Sequence, residues 1–105
     1  MRIDTTLNEG SWVDWEDGAS FRLRPYPLTL LSEIGEGFEE MMTHTLKMFR
    51  YCVVDWKGLE GEDGKPFACN DKWKQYVFDH CPDLREFVMG IINSKMGGED
   101  KESKN

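Results

Sequence analysis

No stretch of this chain stays apolar for the roughly 18 residues that a membrane-spanning helix needs, and no lysine–arginine cluster marks a nucleic-acid surface. Cysteine is scarce. Cys52, Cys69 and Cys81 are odd in number and stand far apart, with no Cys-x-x-Cys pair. That excludes a secreted disulfide scaffold and suits a reducing cytosol, where thiols stay free. A zinc site assembled from these thiols and His80 would lack the close ligand pairs that fix tetrahedral geometry. His80 and Cys81 are neighbours, and neighbouring helical residues point about 100° apart. No metal is expected. The opening residues 1–6 carry no apolar core of a signal peptide, so the expected location is the cytoplasm.

Residues for catalysis are equally sparse. His44 and His80 are the only histidines, and they fall on different predicted helices. His44 lies near the edge of its helix stripe, where an exposed or half-buried structural role is expected. No serine stands in a nucleophile elbow and no glycine-rich phosphate loop follows a strand. Gly35 and Gly37 lack both the third glycine and the preceding strand of a dinucleotide loop. The acidic loop with Glu60, Glu62 and Asp63 misses the calcium-loop order, since Asn70 stands where the closing glutamate belongs. Neither catalytic nor cofactor-binding residues are expected, and the chain reads as a non-enzyme. Its net charge of −7 repels polyphosphate and keeps the surface solvated. DNA mimicry would want carboxylates in a row on one face, whereas these are scattered over loops and helix exteriors.

Hydrophobic residues make up 39% of the chain and aromatic residues 12%, enough for one thin core in a domain of this length. The pattern predicts an α+β fold, mainly helical, in which an N-terminal β-hairpin precedes three or four helices. Residues 1–10 form a flexible lead, 11–96 a single domain and 97–105 a charged, flexible tail. Around Glu16-Asp17-Gly18 the sequence alternates with period two on both sides, which marks a hairpin. A two-residue loop would pair Val13 with Arg22. A three-residue loop pairs Val13 with Phe21, Trp15 with Ala19 and Ser11 with Leu23, gathering the apolar residues on one face. The second register is chosen, because a one-residue slip exchanges the faces. It places Gly18 at the left-handed position of a type I turn with a bulge and sets Trp12 beside Arg22, within reach of a cation–π contact.

Pro25 and Pro27 end the second strand. Residues 28–37 are ambiguous between a short helix through Leu28, Leu30, Leu31 and Ile34 and a glycine-weakened loop. From Phe38 the residues Met42, Thr45, Phe49, Cys52, Val53 and Trp56 recur at three- and four-residue intervals, predicting an amphipathic helix to about Asp55. Tyr51 and Val54 fall on the opposite side, so the end of that helix is apolar nearly all round and wants burial on two sides or a partner. Residues 57–66 read as loop. Asn70 or Asp71 caps the next helix, Pro82 breaks it, and Leu84, Phe87, Val88, Ile91 and Ile92 stripe a last helix that Gly97-Gly98 ends. The hairpin face is expected against Phe49, Trp56, Phe87 or Ile91. Met41, Met42 and Met48 share one helix, and methionine adapts to irregular apolar partners. Plain core packing and an exposed client-binding face both fit that cluster.

The run from Tyr51 to Phe67, with Trp56-Lys57-Gly58 and the acidic turn Asp63-Gly64-Lys65-Pro66, resembles small phage tail assembly chaperones. Asn70-Asp71-Lys72-Trp73, Cys81-Pro82-Asp83-Leu84 and the hairpin with Trp12-Val13-Asp14-Trp15 are similar to the same group, so the likeness spans residues 11–95. It implies a non-enzymatic phage or prophage protein that binds the aggregation-prone tape measure protein in the bacterial host cytoplasm. It also implies displacement by the tail-tube protein as the tube polymerises, with neither nucleic acid nor membrane as partner. Met41, Met48, Tyr51 and Val54 are then the expected partner-binding residues, while Trp56, Gly58, Asp63 and Gly64 shape the exit from helix to loop. Two alternatives stay open. One is a virion component, a neck or tail-completion subunit that forms a ring through the sheet edge at residues 11–15. The other is a small acidic inhibitor or regulator of a host protein.

Overall fold

Strand β1 (Ser11–Asp14) runs through a turn at Glu16–Gly18 into strand β2 (Ser20–Leu23). Ser11 pairs with Leu23, Trp12 with Arg22 and Val13 with Phe21, the register that side-chain segregation selects. The turn itself differs from the expected type I geometry. Asp17 (φ 58°, ψ 30°) joins Gly18 (φ 77°) in the left-handed region, which is the mirrored turn that an Asp-Gly pair favours because its twist matches the strands. The Ala19 N–H donates to the Glu16 carbonyl at 3.1 Å and the Trp15 N–H to the Ala19 carbonyl at 2.8 Å. The cation over Trp12 is also a different one. It is Lys57 Nζ, 4.2 Å from the ring centroid.

The computed structural model describes residues 1–31 and 37–97. Helix α1 (Leu28–Leu31) opens the ambiguous stretch, and the remainder of that expectation, including Ile34 and Gly35, lies outside the described residues. Helix α2 (Phe38–Cys52) follows. Its C-terminal carbonyls are held by two cations, as the negative end of a helix favours. Arg24 Nε donates to the Tyr51 carbonyl at 2.8 Å and Lys74 Nζ to the Arg50 carbonyl at 3.0 Å.

The predicted continuation of this helix to Asp55 is overturned. At Val53 the chain changes directly into strand β3 (Val53–Lys57), which pairs antiparallel with β2 to complete a three-stranded sheet of order β1-β2-β3. Phe21 faces Trp56, Leu23 faces Val53, and Val54 is the extra residue of a bulge between them. Two β-branched residues in succession favour the extended chain. The apolar side chains here are therefore spent on both a helix end and a strand, which explains why a helical reading found them nearly all round.

Beyond β3 a small hairpin-like loop closes with Glu60 bridging Pro66 and the Phe67 N–H donating to the Leu59 carbonyl at 2.9 Å. Trp56 Nε1 donates to the Phe67 carbonyl at 2.9 Å, and the Asp63 carboxylate accepts from the Lys65 N–H at 3.0 Å. Helix α3 (Asp71–His80) begins at Asn70, whose side chain accepts from the Trp73 N–H at 3.0 Å. Helix α4 (Pro82–Gly97) starts on Pro82, a first-turn position where the missing N–H is no loss. The helices cover one face of the sheet. Phe21, Leu23, Val53, Phe49, Val88 and Ile92 are fully buried between the two layers, each contributing about 2 kcal/mol by leaving water. Trp15 stacks on Phe87 at 5.7 Å and Phe21 lies 6.4 Å from the same ring, the expected contact between hairpin and last helix. Trp12, Asp14, Asp55 and Lys57 are left exposed.

Candidate functional site

The 3–4 spacing that builds α2 and α4 also leaves a groove between them. On α2, Met42, Thr45 and Met48 follow one another at three-residue steps along one wall. On α4, Arg85, Met89 and Asn93 stand at four-residue steps along the other, with Glu86 beside them. Phe78, near the end of α3, lies between. The space measures about 440 Å³. Three methionines and a phenylalanine thus line a cleft whose charged groups among the described residues, Arg85 and Glu86, are of opposite sign. Arg85 is not free to swing, since its Nη1 donates to the Phe78 carbonyl at 2.8 Å with the guanidinium 5.5 Å from the Phe78 ring. Methionine is unbranched and polarisable, so such walls adjust to differently shaped apolar side chains.

Of the four residues expected to contact a partner, the structure brings only Met48 to this groove, where it is 7% exposed. Met41 stands one residue away from Met42, is 55% exposed and does not line the cleft. Tyr51 lies elsewhere. Its ring meets Tyr26 edge-on at 5.5 Å and carries the Arg24 guanidinium 3.9 Å from its centroid. Val54 is the half-buried bulge residue of β3 rather than a helical residue. Met89 and Phe78 were not singled out by sequence reasoning, since their meeting with Met42 depends on how α3 and α4 pack.

Other chemistry-bearing groups are dispersed. His44 is buried rather than half-exposed; its ring meets Tyr26 edge-on at 5.4 Å, and Nε2 has no hydrogen-bond partner among the described residues. His80 is exposed and its ring lies 4.7 Å from that of Tyr76. Burial pushes the Cys52 thiol up to about 12, against a smaller opposing pull from Arg24. Burial likewise pushes Cys69 up to about 11, with Lys74 acting against it and Asp55 adding to it. Both stay protonated and unreactive at neutral pH. Among the described residues, no three His, Cys, Asp or Glu side chains gather in a group that could hold a metal ion, and no helix is long and apolar enough to cross a membrane. Compared with family models, with curated proteins and with solved structures, the chain matches none.

Proposed function

We propose that this chain is a non-enzymatic binding protein of the phage tail assembly chaperone kind, which holds apolar helical segments of a tape measure protein in the host cytoplasm until tail-tube subunits replace it. The observation that carries this reading is the methionine-lined groove between α2 and α4. An amphipathic helix laid in such a groove anchors through residues on successive turns. One leucine-sized side chain leaving water contributes about 2 kcal/mol, too little alone to offset the loss of freedom on association. A long helical client that repeats such residues can engage; an isolated apolar side chain cannot. The net charge of −7 keeps the loaded complex soluble. The likeness of residues 51–67 to tail assembly chaperones selects the client.

The test is co-expression with the tape measure protein of the same phage, followed by size-exclusion chromatography. Met42 is 42% exposed, so Met42→Asp changes the groove without emptying the core, whereas charging Met48, Tyr51 or Val54 would damage packing as well. The expected result is a soluble co-eluting complex, lost with Met42→Asp and kept with Met41→Asp. No complex, or one indifferent to Met42→Asp, overturns the reading. A second reading, a ring-forming virion component, draws on β1, an edge strand of the sheet with Trp12 exposed beside it. It is distinguished by elution of this chain alone at ring size.

A further inference from the structure

Two acidic loops are pressed together on the side of the fold where the hairpin turn meets the segment after β3. Gly58 approaches the turn so closely that a Cβ there would stand 2.6 Å from the Gly18 carbonyl oxygen and 2.9 Å from Ala19 Cα. The contact sets Glu16 and Asp17 of the turn on the same pocket as Glu60. Together they border a pocket of about 360 Å³, at the small end of the roughly 300–1,000 Å³ typical of ligand sites. Trp15, Leu59, Phe67 and Leu84 give it an apolar lining. No lysine or arginine among the described residues lines it. Among the described residues, none of the three carboxylates makes a side-chain hydrogen bond or ion pair. A cation arriving from outside meets carboxylates on both loops around an apolar hollow and no like charge among the described residues that line it. The α2–α4 groove differs, since Arg85 and Glu86 offset each other there.

We infer that this pocket is a second binding site, independent of the α2–α4 groove, which takes an apolar side chain flanked by lysine or arginine on a segment of a partner polypeptide. The apolar lining receives the side chain, and the carboxylates, carried on two separate loops, receive cations on either side of it. Residues 98–105 do not supply the occupant, because they hold two lysines and no apolar side chain.

The probe is the peptide acetyl-Arg-Lys-Leu-Lys-Arg-amide, titrated calorimetrically and followed by the backbone amide shifts of the full chain. Shifts at Ala19, Leu59 and Cys81 are expected. Binding should weaken about tenfold between ~20 mM and ~300 mM salt, and about as much in the triple variant Glu16→Gln/Asp17→Asn/Glu60→Gln. Those three side chains are exposed, so the variant folds. Replacing the central leucine of the peptide by glycine should weaken binding about thirtyfold. The inference is overturned if the probe does not bind, if the triple variant binds it equally, or if acetyl-Glu-Glu-Leu-Glu-Glu-amide binds as well. It also fails if pentylamine shifts the same amides at equal affinity, which makes the pocket a small-amine site. Shifts confined to Met48 and Met89 sink it too, by moving the peptide to the other groove.

Discussion

Gly58 and Gly64 share the same backbone angle, φ 79°, in very different surroundings. At Gly64 a Cβ would meet nothing within 4 Å, whereas at Gly58 it would run into the backbone of Gly18 and Ala19. Only conformation is at stake in the first case. Gly64→Ala should therefore cost about 1 kcal/mol, the penalty for an L-residue in the left-handed region. Gly58→Ala carries the same penalty plus a collision with main chain that cannot rotate away, so about 2–4 kcal/mol is expected. Urea unfolding midpoints of the two variants, measured side by side, check this. Equal losses would mean that the hairpin turn yields to the new methyl group, and with it the wall that holds Glu16 and Asp17 near Glu60.

At the scale of elements, the boundary of α3 depends on one side chain. Asn70 accepts from the Trp73 N–H, one of the helix's otherwise unpaired donors. Asn70→Ala should lower stability by about 1 kcal/mol, while Asn70→Asp, which keeps the acceptor and adds a charge at the positive helix end, should not. A loss in both would point to the Asn70 amide nitrogen rather than the cap. This element was legible because capping is local chemistry. The hairpin register was legible for a related reason: only one pairing put Phe21 and Leu23 on a common face with Val13 and Trp15. Strand β3 was not. Phe49, Cys52, Val53 and Trp56 satisfy the helical spacing, and the same Val53 and Trp56 serve as the inward residues of a strand once Val54 is bulged out. What decides the tie is a partner far away in sequence, the open edge of β2, whose Phe21 and Leu23 reach full burial only when a strand also lies on that side. Consecutive Val53 and Val54 were the local sign of it.

On the scale of the whole molecule, both candidate sites are products of assembly rather than of any one segment. The sequence marked the methionines of α2 as adaptable, yet the wall they face comes from Met89 and Phe78, and the acidic pocket joins loops some forty residues apart, from Glu16 to Glu60. Charge ties the second site to global stability. With a net −7 the folded chain repels itself, and Glu16, Asp17 and Glu60 add to that repulsion around one pocket, where none has a side-chain partner among the described residues. Screening should relieve it, since the Debye length falls from ~20 Å near 20 mM salt to ~6 Å near 300 mM. Stability in urea, a denaturant that leaves charge unscreened, should then rise by about 0.5–1 kcal/mol over that interval. The triple variant Glu16→Gln/Asp17→Asn/Glu60→Gln takes the net charge from −7 to −4. If the pocket concentrates the repulsion, that variant is the more stable protein at low salt and loses its advantage at high salt. A variant no more stable than the parent at low salt would show the three carboxylates already at ease in solvent, removing the electrostatic reason for a basic partner.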